Sequence, residues 1–319
     1  MKHKVVVYRE LPEQVLSFLK NKFNVSYFPN LDDQNYHDFL SELQTAQGLL
    51  GASMKIDQEL LDQAPQLKVI SNISVGYDNL NIEELRKRGI LGTNTPGVLD
   101  DTTADTVFGL LLATARRMPE LDHYVKSGRW EGTKGEDLFG VDVHHKTLGI
   151  IGMGSIGRAV AKRARFGFDM EILYHNRSRN KEAENKYDAT YCTLDDLLKK
   201  SDFVCLMVPH TPQTEKMIGE REFNLMKESA IFINGSRGKN VDEAALIKAL
   251  QEKKILRAGL DVFEIEPIEK DNPLLSLPDV VTLPHIGSAT TETRASMAKL
   301  AAENMAIALE GKTPPNLIR

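Results

Sequence analysis

Three polar residues in this sequence have the types and spacing to do chemistry on a carbonyl. Arg237 lies in Asn234-Gly235-Ser236-Arg237-Gly238, just after the apolar run at residues 230–234. Glu266 lies in Glu264-Ile265-Glu266-Pro267, which follows the run at 256–262 and Asp261. His285 lies in Pro284-His285-Ile286-Gly287-Ser288, which follows the run at 280–283. In an open parallel α/β sheet, ligands bind beyond the carboxyl ends of strands, and all three residues fall there. Singly, each has an ordinary reading: a turn charge, a solvated carboxylate, a loop-packing histidine. Together they suit a 2-keto acid. Arg237 matches its carboxylate and carbonyl, His285 offers a proton, and Glu266 beside the imidazole keeps that proton available near neutral pH.

A second motif supplies a place for a hydride source. Gly152-Met153-Gly154-Ser155-Ile156-Gly157 follows Leu148-Gly149-Ile150-Ile151 and opens the helical pattern Arg158-Ala159-Val160-Ala161-Lys162. Taken alone, a GxGxxG motif is weak and can be no more than a tight turn. At a strand-to-helix junction it has a mechanism. Gly152 permits the turn, Gly154 lets a pyrophosphate approach the backbone, Gly157 packs helix on strand, and the N–H groups of Ser155 and Ile156 face the phosphates. The next strand ends in Leu173-Tyr174-His175-Asn176-Arg177-Ser178-Arg179, without the acidic residue that holds the ribose hydroxyls of NAD. Arg177 can pair with the extra phosphate of NADP and Ser178 can donate to it, with Asn176 in the same turn. NADPH is therefore the expected cofactor and NADH a weaker one. The alternative is that Arg177 and Arg179 are solvated surface charges.

The elements that must position these groups alternate along 319 residues. Strands are expected at 4–8, 25–28 and 68–72, with helices and the segment Gly48–Gly51 between them. A long buried helix is expected over about 100–117, and a glycine-containing loop over 127–146. From 147 a second parallel sheet of at least six strands begins, and a last helix covers about 290–309. Alternation of this kind implies mostly parallel sheets covered by helices. The chain carries a formal charge of −5, with 41% hydrophobic and 27% charged residues. That excludes wholesale disorder and argues against a general nucleic-acid binder. The apolar runs are too short for a signal-peptide core or a membrane span. Cys192 and Cys205 have no zinc spacing and cannot staple a chain of this length, so no metal site is expected and a cytoplasmic setting fits.

The loop Ser74-Val75-Gly76-Tyr77-Asp78-Asn79, the glycine motif, Asn234 to Gly238, Gly259-Leu260-Asp261-Val262-Phe263-Glu264, Glu266-Pro267 and Pro284 to Ser288 occur in order along the chain. In these motifs the sequence resembles the D-isomer-specific 2-hydroxyacid dehydrogenase family. The stretch from Phe139 to Gly149 and the run Lys181-Glu182-Ala183-Glu184 carry a closer likeness to a bacterial branch acting on glyoxylate, hydroxypyruvate and 2-keto-D-gluconate. The resemblance implies a Rossmann nucleotide-binding domain at 100–289, inserted into a flavodoxin-like substrate domain at 1–99 and 290–319. It implies that the N–H groups of Val75 and Gly76 hold the substrate carboxylate, that Arg237 binds substrate, that Glu266 pairs with His285, and that His285 is the acid/base. It also implies cofactor contacts from Thr211, Gly235, Ser236, Asp261, His285, Gly287 and Ser288, and a homodimer formed through the nucleotide domain. The absent acidic residue and Ser236 before Arg237 depart from the family pattern. Two other readings keep the same fold: a dinucleotide-sensing interaction module, and a phosphoglycerate- or formate-type dehydrogenase.

Overall fold

A computed structural model describes residues 2–132 and 135–318. The chain divides into two compact units, Met1–Leu99 with Ala289–Arg319, and Asp100–Ser288. Unit 1 begins with β1 (Lys4–Val7), α1 (Glu13–Lys22), β2 (Asn24–Tyr27), α2 (Tyr36–Leu43), β3 (Gly48–Gly51), α3 (Gln58–Asp62), β4 (Val69–Asn72), α4 (Ile82–Lys87) and β5 (Leu91–Thr93). Its five strands are all parallel, in the order β2-β1-β3-β4-β5. This is the flavodoxin-like order. Val5, Val6, Leu49, Leu50, Val69 and Ile70 are buried on the central strands, as near-continuous apolar runs in a sheet covered on both faces should be.

Unit 2 contains α5 (Asp100–Ala115), α6 (Met118–Lys126), β6 (Thr147–Ile151), α7 (Ser155–Phe168), β7 (Glu171–His175), α8 (Lys181–Tyr187), β8 (Thr190–Tyr191), α9 (Leu194–Lys200), β9 (Phe203–Leu206), α10 (Glu220–Leu225), β10 (Ile231–Asn234), α11 (Glu243–Gln251), β11 (Arg257–Leu260) and β12 (Val280–Thr282). The seven strands run parallel in the order β12-β11-β10-β9-β6-β7-β8. Chain order reverses between β6 and β9, so the sheet has the Rossmann switch point at the end of β6. The helix α5 buries Val107, Phe108, Leu110, Leu111 and Thr114, which explains its apolar character on more than one side. The loop expected over 127–146 holds a short 3-10 turn, Glu136–Leu138; residues 133 and 134 lie outside the described set.

The chain then returns to unit 1 as α12 (Thr291–Leu309), capped by the Thr290 hydroxyl, which accepts from the Thr293 N–H at 3.2 Å. Ala298, Ala301, Ala302 and Ala306 are buried on it, and these small residues let the helix lie close on β3, β4 and β5. Ser71 in β4 donates its hydroxyl to the Ala301 carbonyl at 2.6 Å, and Asn304 donates to the Asn94 carbonyl at 3.1 Å. Among the described residues, no helix is long and apolar enough to cross a membrane, and no group of three His, Cys, Asp or Glu could hold a metal ion.

Candidate active site

Strands β10, β11 and β12 are neighbours, with Asn234 level with Leu260 and Leu260 level with Thr282. Residues just past those three positions therefore share one sheet edge. Arg237 follows β10. Asn234 fixes its turn by donating to the Arg237 carbonyl at 3.0 Å and accepting from the Ser236 N–H and hydroxyl at 3.1 and 2.9 Å. Ser236 is thereby engaged in the turn and is buried. A Cβ on Gly238 would sit 1.8 Å from the Phe263 carbonyl carbon, and one on Gly235 would sit 2.4 Å from Val107 Cγ2. Only glycine lets the Arg237 turn lie against the segment that carries Glu266.

Glu266 divides its two oxygens. Oε1 accepts from the Phe263 N–H at 3.0 Å, and Oε2 meets His285 Nδ1 at 2.7 Å. Burial pushes the Glu266 carboxyl up, but the His285 and Phe263 hydrogen bonds, then the His285 and Arg237 charges, outweigh it and hold it below its ordinary value. A carboxylate thus stands against the imidazole, with the Arg237 guanidinium close enough to act on the carboxylate. His285 has a φ of 54°, a left-handed conformation that a non-glycine residue adopts only when its surroundings hold it. Asp261 provides the hold. It is 2% exposed, and its two carboxylate oxygens accept from the Ile286 and Gly287 N–H groups, both at 2.8 Å. Burial raises the Asp261 pKa in spite of these bonds. Gly287 in turn accepts from the Thr106 hydroxyl at 3.1 Å, and Ser288 closes the segment half-buried.

The glycine loop lies at the end of β6. Gly152 has a φ of 105°, and a Cβ there would lie 2.6 Å from the Met207 carbonyl oxygen; a Cβ on Gly157 would lie 2.2 Å from the Gly152 oxygen. Gly154 differs. Nothing stands within 4 Å of the Cβ it lacks, so its missing side chain leaves space rather than relieving a contact. It also gives α7 no side-chain cap, which leaves the first N–H groups at Ser155 and Ile156 for an anion. This cradle fits a dinucleotide pyrophosphate.

Two residues beyond β7 brace the loop. The Met153 N–H donates to Asn176 Oδ1 at 2.8 Å, and Asn180 Nδ2 donates to the Met153 carbonyl at 2.9 Å. The Asn180 N–H donates to the Tyr174 hydroxyl at 2.7 Å, which donates to Glu184 at 2.6 Å. Arg179 is paired with Glu184 at 2.9 Å. Arg177 and Ser178 are exposed, and no ion pair among the described residues engages Arg177. Thr211 is tied into its own turn, with its N–H donating to Thr214 Oγ1 at 2.8 Å.

In unit 1, the turn after β4 is built the same way. Asn72 donates to the Gly76 carbonyl at 2.9 Å and Asn94 to the Val75 carbonyl at 2.8 Å. With both carbonyls occupied, the Val75 and Gly76 N–H groups are left without a backbone acceptor among the described residues. Sequence reasoning missed Asn72, Asn94 and Asn180 as braces. Asparagines at the ends of apolar runs and in the turns that follow them were the available signal.

Residues 108–287 match the family model described as "D-isomer specific 2-hydroxyacid dehydrogenase, NAD binding domain". The chain is 51% identical over 318 residues to glyoxylate/hydroxypyruvate reductase B of Cronobacter sakazakii, covering 100% of this chain and 98% of that protein. It resembles the crystal structure of an NADPH-dependent glyoxylate/hydroxypyruvate reductase from Sinorhizobium meliloti in complex with NADP and malonate. There the identity is 32%, the TM-score 0.87, and the coverage 100% of this chain and 97% of that one. A solved protein from Thermus thermophilus is 40% identical with a TM-score of 0.91, covering 99% and 100% of the two chains. The chain therefore belongs to the D-isomer specific 2-hydroxyacid dehydrogenases, oxidoreductases that work on small 2-keto and 2-hydroxy acids with a nicotinamide dinucleotide.

Proposed function

We propose that this chain reduces glyoxylate, hydroxypyruvate and 2-keto-D-gluconate to D-2-hydroxy acids with NADPH, and that His285 is the proton donor. The observation that carries this reading is the 2.7 Å contact between His285 Nδ1 and Glu266 Oε2, beside Arg237 at the carboxyl ends of adjacent strands. Nδ1 donates to the carboxylate, so Nε2 of the imidazolium is the nitrogen left to give its proton to the keto oxygen. Glu266 stabilises the charge before the transfer and fixes the ring's orientation. Arg237 draws in the substrate carboxylate and polarises the carbonyl. In unit 1, the N–H groups of Val75 and Gly76 serve as carboxylate donors. When bound, the reduced dinucleotide supplies the hydride for the keto carbon. The names of the relatives support glyoxylate and hydroxypyruvate as substrates.

For the cofactor, Gly154, Ser155 and Ile156 receive the pyrophosphate, while Arg177 and Ser178 receive the 2′-phosphate. The preference for NADPH rests on Arg177 being exposed with no ion pair among the described residues. Asp261, Gly235, Gly287 and Ser288 are assigned to the nicotinamide end, and Thr211 to the loop beyond β9. We also propose a homodimer, supported by the exposed Met118, Val125, Phe139 and Phe166 on unit 2. Such apolar exposure is typical of a protein interface. A cytoplasmic setting is supported by two free cysteines.

The test follows NADPH and NADH oxidation over a panel of 2-keto acids. His285→Gln should lower kcat by at least about a hundredfold, with NADPH binding unchanged. Arg177→Ala should lower kcat/KM for NADPH by about tenfold or more and leave NADH nearly unaffected. A clear NADH preference in the unmodified chain, or near-normal turnover by His285→Gln, refutes the corresponding assignment.

A further inference from the structure

Arg9 and Arg294 in unit 1 are half-buried, and no carboxylate among the described residues pairs with either guanidinium. Burial depresses the Arg294 pKa, and the like charge of Arg9 depresses it further. The fold brings the two together at one edge of the sheet. Arg9 lies two residues beyond the carboxyl end of β1. Arg294 lies in the first turn of α12. That helix crosses β4 at the contact between Ser71 and Ala301, and ends with Met305 and Leu309 over Gly48, the first residue of β3. It therefore runs opposite to the strands, and its first turn belongs to the same carboxyl edge. The Tyr8 hydroxyl, next to Arg9 in sequence, is buried with no hydrogen-bond partner among the described residues.

Half-burying a guanidinium without an acid is costly, and doing so beside a second cation costs more. A fold tolerates such a pair where an anion completes it. The carboxyl edge of an open parallel sheet is also where ligands bind. We propose that Arg9 and Arg294 form an oxyanion-binding site on this edge, made by residues other than those of the Val75–Gly76 turn. Its ligand is a carboxylate or phosphate group, whose oxygens match the planar donor fork of arginine. That group belongs either to the keto-acid substrate or to a free inorganic anion.

The test uses the full chain with NADPH present to fill the dinucleotide subsites. Inorganic phosphate and malonate are the probes, and thermal unfolding the readout. Both anions should raise the Tm of the unmodified chain. Arg294→Met should weaken each anion's effect at least about tenfold in apparent Kd, while matching or exceeding the original Tm in anion-free buffer, because an uncompensated charge is gone. Arg294→Lys should restore part of the response, and Arg9→Gln should reproduce the loss. A second arm, which rests on the reductase reading, measures glyoxylate turnover in anion-free buffer. A KM raised about tenfold at constant kcat identifies the substrate carboxylate as the ligand; an unchanged KM identifies the free anion. The proposal is overturned if phosphate and malonate affect the unmodified chain and Arg294→Met equally, or affect neither. The thermal arm needs no turnover, so its failure is distinct from failure of the reductase reading.

Discussion

Asp261 and Glu266 are acids a few residues apart that the fold uses in opposite ways. Asp261 is buried with both oxygens on backbone N–H groups, while Glu266 is half-exposed and gives one oxygen to the His285 ring. Asp261→Asn keeps the size but replaces one acceptor with a donor facing an N–H group. It should cost about 1–3 kcal/mol in chemical denaturation and lower kcat more than it raises KM for NADPH, since the backbone of His285 is what it holds. Glu266→Gln should lower kcat for reduction by at least about tenfold, because the ring loses the carboxylate that orients it. Its effect on stability has a definite sign. A carboxyl held below its ordinary value stabilises the fold above that value, and the contribution is lost as pH falls through the folded-state pKa. Below about pH 4.5, the normal Glu value, Glu266→Gln should therefore show a flatter loss of Tm than the original chain. The Cys205 thiol, fully buried and pushed up to about 12, should react with thiol reagents only after unfolding. The identities of Arg237, Glu266 and His285 were legible because polar residues that end apolar runs are conspicuous. The double hold by Asp261 was not, since a hydrogen bond to backbone about 25 residues away leaves no trace in local spacing.

Two glycines of one motif separate folding from binding at the level of elements. Gly157→Ala would place a methyl carbon 2.2 Å from the Gly152 oxygen, so it should unfold or grossly destabilise unit 2, by about 3 kcal/mol or more. Gly154→Ala meets nothing within 4 Å. It should leave the Tm within about a degree in the absence of cofactor, yet weaken NADPH and NADH alike by at least about tenfold. Isothermal titration of both dinucleotides against each variant decides the matter; equal damage to folding at both positions would contradict this division. Most elements were readable from β-branched runs and helical spacing. The strands β5 and β8 escaped, being only three and two residues long. So short a segment shows no period, and its pairing with β4 or β7 is a tertiary fact.

At the scale of the molecule, unit 2 is one continuous stretch of chain with its own cores, around Ile150 and Tyr174 on one face and Leu206 and Phe232 on the other. A fragment of residues 100–288 should fold alone and bind NADPH, with no reductase activity. Circular dichroism and fluorescence titration of that fragment provide the check.

Unit 1 has no such independence, because it is made from both ends of the polypeptide. On the ribosome its five strands emerge first, and α12, which covers β3 to β5, emerges about 200 residues later. At roughly 5–20 residues per second, that leaves an uncovered apolar sheet face waiting some 10–40 seconds. The nascent chain is then a client for holding chaperones, and premature termination anywhere before codon 291 yields a sheet on which β3 to β5 lack their covering helix.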